Sequence, residues 1–290
     1  MAPDAVYVAA RRTLLDALAA LGDHRDCLVL IGAQAVYLHA PDDDLAVAPT
    51  TTDADLGLDP DLLADSPLLE ELLNGADFDL TAEPGIWMSR HGATIDLIVP
   101  ESLAGAGQRG ARLGAHGTRA ARRAAGIEGC LVDKATMTIG ALYAGDTRAF
   151  SIAVAGPAAL VVAKTHKIAG RLDEGRGRLK DKDALDVFRL MRAVNPPAFA
   201  VGFERLRESR LAAASTLWAL DEFAKMFGAS ESVGVDMIVR ATEGLMPEAE
   251  VRAAVPLLTR EVLDVAGGDG GAMAPDGSTA SGEAMRGVTG

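Results

Sequence analysis

The stretch Asp53-Ala54-Asp55-Leu56-Gly57-Leu58 alternates in a way that predicts a β-strand with both carboxylates on one face. Upstream, Cys27-Leu28-Val29-Leu30-Ile31 is a short apolar run that indicates a buried strand, and Gly32 ends it at a tight turn. Residues 33–39 then indicate the start of a helix. Downstream, Thr94-Ile95-Asp96-Leu97-Ile98 indicates another buried strand with one isolated acid. We therefore expect a sheet that brings three carboxylates together.

The remaining periodicity predicts an α+β fold, with a mixed sheet flanked by helices and then a helical domain. Helices are predicted at 6–21, 59–73, 157–171 and 181–194, strands at 85–89, 93–99, 129–143 and 149–154, and helices throughout 198–265. The glycine- and arginine-rich residues 105–126 indicate a mobile loop or excursion. We expect an α/β domain over 1–155, a helical domain over 156–265 and a disordered tail over 266–290.

Composition limits the classes of function. The chain has 290 residues, enough for about two domains at ~150 residues each. Its 28 basic and 41 acidic residues give a net charge of −13, which argues against a broad surface that coats nucleic acid. Cys27 and Cys130 lack the spacing of a disulfide framework or a zinc site. No apolar stretch approaches the ~18 residues of a membrane span, and no signal peptide is evident. We expect a cytoplasmic protein without a membrane partner.

The three carboxylates Asp53, Asp55 and Asp96 indicate a metal site. Carboxylates that converge from neighbouring strands repel one another unless a cation lies between them, and hard oxygen ligands favour Mg²⁺ or Mn²⁺. Two such ions about 4 Å apart would hold a nucleoside triphosphate for in-line displacement. The backbone N–H groups of Gly32, Ala33 and Gln34, at the start of the helix, can receive phosphate oxygens. The alternative is an exposed strand face together with a satisfied buried acid.

The helical half offers a second charged group. Lys164, Lys167 and Arg171 follow one another at i, i+3 and i+7, so they form a cationic strip on one helix face that suits phosphate. Asp183 and Asp186 share a face of the next predicted helix. A solvated helix pair with surface salt bridges is the alternative, and we favour it for Lys167, Arg171 and Asp183. Lys164 follows an apolar run, which favours a functional role.

The order of strand, small-residue turn, helix, D-x-D strand and third acid resembles the polymerase-beta-type nucleotidyltransferase superfamily. Residues 160–171 (LVVAKTHKIAGR) and 180–187 (KDKDALDV) resemble the AbiEii/AbiGii-type nucleotidyltransferase toxins, which include MenT-like toxins. The resemblance implies the nucleotidyltransferase fold and metal-dependent transfer of a nucleoside monophosphate from a triphosphate to RNA, such as tRNA, with release of pyrophosphate. It gives Lys164 the lysine role and Asp186 the aspartate role, and it implies a cognate antitoxin protein as a partner.

Asp186 is expected to face Lys164 across the helix pair, either to orient the lysine or to act as the acceptor's base. Within the same resemblance, Lys164 and Lys167 are candidates for contact with the nucleotide. Ala33 departs from the family pattern, because it stands where members carry glycine or serine, and the hydroxyl they offer to the triphosphate is missing.

An arginine-rich segment is unusual in so acidic a chain. Residues 108–126 contain no acid and hold five arginines, namely Arg109, Arg112, Arg119, Arg122 and Arg123. They could engage an RNA backbone, or they could pair with the acidic residues 42–44 or with an acidic partner protein.

Three functions stay open: transfer to RNA, the same chemistry on a small hydroxylated acceptor as in aminoglycoside nucleotidyltransferases, and a non-catalytic binding or regulatory module.

Overall fold

The computed structural model describes residues 4–41 and 50–267. Within them the strands are β1 (Leu28–Ile31), β2 (Asp53–Leu58), β3 (Phe78–Leu80), β4 (Ile86–Ser89), β5 (Thr94–Pro100), β6 (Arg122–Ala124), β7 (Lys134–Gly140) and β8 (Ala149–Ala155). The helices are α1 (Ala5–Ala20), α2 (Gly32–His39), α3 (Leu69–Gly75), α4 (Pro157–Asp173), α5 (Asp181–Ala193), α6 (Pro196–Glu208), α7 (Ala213–Phe227), α8 (Val233–Ala241) and α9 (Glu248–Gly267). The acidic residues 42–44 and nearly all of the tail predicted to be disordered lie outside the described ranges.

The strands form one mixed sheet in the order β3-β4-β5-β2-β1-β8-β7. β1 runs antiparallel to β2 and parallel to β8, and β2 runs parallel to β5. The carboxyl ends of β1 and β8 therefore meet the amino ends of β2 and β5 at one end of the sheet. We call this the carboxylate end, because Asp53, Asp55 and Asp96 lie there. Helices α2 and α4 start at the same end, directly after β1 and β8.

The helical half packs directly on this end of the sheet. Helix α2 contacts both α4 and α5, and α4 begins with Pro157 at its first turn, a position where the missing N–H costs nothing. Buried apolar side chains of the strands and of the C-terminal helices belong to one continuous cluster. The predicted α+β fold, with a helical region after the sheet, is confirmed. The division into domains at residues 155 and 156 stays a prediction. None of the described helices is long and apolar enough to cross a membrane.

Two predictions about local structure are wrong. The helix predicted over 59–73 is reduced to a turn after Asp59, where Leu62 N donates to the Asp59 carbonyl, and to the short helix α3. Pro67 has no N–H to donate, so a helix cannot continue through it with its hydrogen bonds intact. The predicted strand over 129–143 begins only at Lys134, after a short 3₁₀ turn.

The arginine-rich segment is more ordered in its backbone than the sequence predicts. Residues 114–116 form a 3₁₀ turn, and residues 122–124 form β6, which runs parallel to β5. β6 lies beside residues 98–100 of β5, whereas β4 pairs with residues 94–96. Most of the segment is a loop excursion, as predicted, and it returns to the sheet as β6 because β4 leaves part of β5 free to pair with another strand.

Candidate functional site

Strand register brings the predicted carboxylates together. Asp55 lies opposite Ile31 of β1 on one side and opposite Asp96 of β5 on the other. Asp53 and Asp55 are two residues apart on β2, so their side chains share a face. Both are half-buried rather than enclosed. The three acids of the sequence prediction thus occupy neighbouring positions on two adjacent strands.

Gly32 allows Asp55 to approach the start of α2. Its φ of +70° is in the left-handed region, and a Cβ built there would lie 1.9 Å from Asp55 Oδ2. Any larger residue would have to displace the carboxylate. The carboxylate of Asp55 therefore lies directly against the first residue of α2, where the backbone N–H groups of the first turn have no partner within the helix.

Asp53 is held by contacts that the sequence analysis missed. Thr51 Oγ1 donates to Asp53 Oδ1 at 2.7 Å, and Lys182 Nζ of α5 donates to the same hydroxyl at 2.9 Å. Gln34 Nε2 donates to the Asp53 carbonyl at 3.1 Å. Burial lowers the pKa of Lys182, while the nearby Asp186 and Asp53 oppose that shift. The helical half is thus hydrogen-bonded, through Lys182 and Thr51, to the segment that leads into the strand of the D-x-D pair.

Gln34 has a structural part in this network. Its side chain is 1% exposed, and its Oε1 accepts from Arg11 Nε at 2.8 Å. Only its backbone N–H is therefore available to a phosphate. Ala33 is also buried, and Gly32 is partly exposed, so backbone atoms are what these three predicted nucleotide contacts can offer.

Asp96 has a cation of its own. Arg122 of β6 donates from Nε to both carboxylate oxygens, at 2.9 and 2.7 Å, and its second nitrogen lies 2.6 Å from Oδ2. Burial raises the pKa of Asp96 to about 6, although Arg122 acts in the opposite direction. Arg122, one of the five arginines considered for RNA contact, is therefore the counter-ion of the third carboxylate.

At the carboxylate end, two of the three predicted metal ligands have carboxylate oxygens that suit a hard cation. In the part of the chain that the structure describes, neither Asp53 nor Asp55 forms an ion pair. Within those same ranges, no group of three His, Cys, Asp or Glu side chains is arranged to hold a metal ion. The metal site stays a prediction. Because the Asp96 carboxylate is paired with Arg122, Asp53 and Asp55 are the ligands available to a metal ion.

The second cluster lies between α4 and α5. Lys164 is 4% exposed, and its Nζ donates to Asp186 Oδ2 at 2.5 Å and to Asp183 Oδ1 at 3.2 Å. The expectation that Asp186 faces Lys164 is confirmed. Burial alone would lower the pKa of Lys164, but the carboxylates of Asp186 and Asp183 reverse this and raise it. Lys164 is therefore an ammonium at every physiological pH.

Asp183 is buried, which the sequence analysis did not favour. It is 4% exposed and also accepts from Arg171, and Lys167 Nζ lies 3.6 Å away. Burial acts to raise its pKa, but Lys164, Lys167 and Arg171 outweigh that effect and lower it to about 2. The surface salt bridge considered for Asp183 is wrong, because the two helices close over it.

No family model matches the chain, and no curated protein is similar to it at a significant level.

Proposed function

We propose that the chain is a metal-dependent nucleotidyltransferase that moves a nucleoside monophosphate from a nucleoside triphosphate to an RNA hydroxyl, with tRNA as the expected acceptor. One observation carries the proposal: Asp53 and Asp55 lie half-exposed on one face of β2, without ion pairs to described residues, and the Asp55 carboxylate lies against the first residue of α2. Carboxylates so close together are costly unless a cation joins them. The motif order that resembles AbiEii/AbiGii-type toxins supports the same chemistry.

Each group of residues at the carboxylate end has a proposed role in the transfer. Mg²⁺ or Mn²⁺, when bound by Asp53 and Asp55 beside Asp96, would neutralise phosphate oxygens during displacement. The first amides of α2 would bind the triphosphate, and Lys167, whose side chain is 40% exposed, is the lysine of α4 that can reach it. In the proposed step the acceptor hydroxyl oxygen bonds to the α-phosphorus, and pyrophosphate leaves with the electron pair of the broken P–O bond. The hydroxyl proton passes to solvent water.

Lys164 and Asp186 form a buried pair that positions the helices of the site. Asp186 is fully buried, which disfavours the role of a base that meets the acceptor and favours the role of orienting Lys164. Lys164 in turn fixes α4 against α5, so that Lys167 on α4 and Lys182 on α5 approach the carboxylate end together. We propose this positioning role for both residues.

Labelled transfer tests the proposal. The purified chain is incubated with Mg²⁺, each α-labelled nucleoside triphosphate and total tRNA, and metal-dependent triphosphate binding is measured by calorimetry. Asp53→Asn and Asp55→Asn should each lower transfer by about 100-fold or more, the scale of removing one electrostatic group from a site. Asp79→Asn is the matched control, because Asp79 is an exposed aspartate on β3 of the same sheet.

Three results would contradict the proposal in distinguishable ways. Unchanged metal-dependent triphosphate binding in both site variants would remove the carboxylates from the site. Transfer to an aminoglycoside but not to RNA would replace the acceptor class. Binding of the metal and triphosphate without any transfer would leave a binding or regulatory module.

A further inference from the structure

The five arginines of residues 109–123 fall into two classes in the structure. Three have an acidic partner: Arg109 lies 3.0 Å from Glu83, Arg122 lies 2.6 Å from Asp96, and Arg123 lies 3.9 Å from Glu101. Arg112 and Arg119 have no acidic partner among the described residues. Within residues 109–123 these two guanidinium groups are therefore the ones without a described acidic partner, in a chain of net charge −13.

Arg112 and Arg119 line the same cleft, which has a volume of about 310 Å³. Gln108 and Thr118 contribute the other polar side chains of its wall, and no acidic residue lines it. Gly110 lets the two sides of the segment come together, because a Cβ there would lie 1.9 Å from the Thr118 carbonyl oxygen. The cleft is therefore formed by close backbone packing, and two arginine side chains lie in its wall.

The two guanidinium groups are fixed but retain unused donors. Arg112 Nε donates to the Ala106 carbonyl at 2.8 Å, and one terminal nitrogen of Arg119 donates to the Thr81 carbonyl at 2.8 Å. A guanidinium has five N–H donors, so each keeps others for a ligand. Planar donors of this kind match the oxygens of a phosphate, and a fixed guanidinium loses less conformational entropy on binding.

The wall of the cleft is hydrogen-bonded to the sheet. Gly85 N donates to the Arg119 carbonyl at 2.9 Å, and Leu97 N donates to the Gly85 carbonyl at 2.8 Å. Leu97 directly follows Asp96 on β5. Two backbone hydrogen bonds thus connect the wall of the cleft to the strand that carries the third carboxylate.

We propose that this cleft binds a phosphodiester group of the acceptor RNA near its reacting end. The inference rests on the proposed function, because it places the acceptor of the same reaction. The chemistry that selects the ligand is a pair of fixed, unneutralised guanidinium groups without a competing acid. Arg112 and Arg119 carry this role, whereas Arg109, Arg122 and Arg123 are engaged within the chain.

Binding of a short labelled single-stranded RNA, measured by fluorescence anisotropy without metal over a range of salt, tests the cleft. Arg112→Gln with Arg119→Gln should weaken binding by about tenfold or more and reduce the salt slope by about 0.7, the value for one lost phosphate contact. Arg90→Gln with Arg109→Gln is the control: it changes the net charge equally, at exposed arginines that pair with Asp77 and Glu83. The control should stay within about twofold of the parent.

The proposal is overturned if the parent does not bind RNA, or if the two double variants lose equal affinity. Inorganic phosphate is the second probe, and arginine-dependent binding of phosphate without binding of RNA would reduce the cleft to a small-anion site. Transfer activity is judged separately through Asp53→Asn. Arginine-dependent RNA binding without any transfer would reject the reaction and retain the cleft.

Discussion

The carboxylate end of the sheet and the ion-pair cluster between α4 and α5 contain similar side chains but differ in burial and in charge balance. Asp53 and Asp55 are half-buried, and no described residue forms an ion pair with them. Asp183 and Asp186 are at most 4% exposed and share the Lys164 ammonium, with Lys167 and Arg171 also against Asp183.

This difference indicates a difference in purpose. Removing one partner of a buried ion pair destabilises the folded state, because the remaining charge has no water to solvate it. Half-exposed carboxylates that form no ion pair with a described residue are expected to lose little stability when one is neutralised, and their oxygens remain accessible to an external cation. We therefore expect substitutions between the helices to reduce stability, and substitutions at the carboxylate end to reduce ligand binding.

The largest effect is expected for Lys164→Met. The change leaves Asp183 and Asp186 buried without their central cation, and breaking a buried pair in this way costs about 3–5 kcal/mol. The free energy of unfolding from guanidinium titration measures it. Lys167→Met is the control, because its side chain is 40% exposed and should cost less than about 1 kcal/mol. A loss of less than about 1 kcal/mol in Lys164→Met would show that this ion pair does not stabilise the fold.

A smaller, pH-dependent effect is expected at Asp183. Its pKa of about 2 in the folded chain lies below the ordinary 3.8. The carboxylate therefore stabilises the folded state above about pH 4, and this contribution is lost as the pH falls toward 2. The shift corresponds to about 2 kcal/mol, of which about half is lost by pH 3.

Asp183→Asn removes this pH-dependent part. The stability difference between the parent and the variant should therefore be about 1 kcal/mol smaller at pH 3 than at pH 6, when both are titrated with denaturant. Asp79→Asn, at an exposed position, should show the same difference at both pH values. A difference for Asp183→Asn that does not change with pH would contradict the role of its three cations.

The smallest effect on stability is expected at the carboxylate end. Asp53→Asn and Asp55→Asn should each change the free energy of unfolding by less than about 1 kcal/mol, because no described ion pair is broken and repulsion between neighbouring carboxylates is relieved. Thermal and denaturant unfolding measure this. A loss as large as that of Lys164→Met would mean that these carboxylates support the fold, and it would remove the contrast between the two regions.

The sequence was sufficient where local periodicity carries the information. Alternation along residues 53–58 places both aspartates of β2 on one face whatever lies around them, and spacing by three residues places Asp183 and Asp186 on one face of α5. The pairing of Asp186 with Lys164 was also predictable, from the motif that both residues belong to. The helix predicted over 59–73 is wrong, because the helix start at Asp59 is followed by Pro67, which has no N–H to continue the helical hydrogen bonds.

Only the tertiary structure decided which charged and polar side chains are partners. Arg122 reaches Asp96 because β6 pairs with the part of β5 that β4 leaves free, and Lys182 reaches Thr51 across 131 residues of chain because α5 packs over the carboxylate end. Ion pairs and hydrogen bonds depend on distances of a few ångströms between residues remote in sequence, and local periodicity does not encode such distances. The sequence by itself therefore determined which acids and bases are present and which face of each element carries them, whereas the packing of the elements decided which charges are neutralised within the chain and which remain for a ligand.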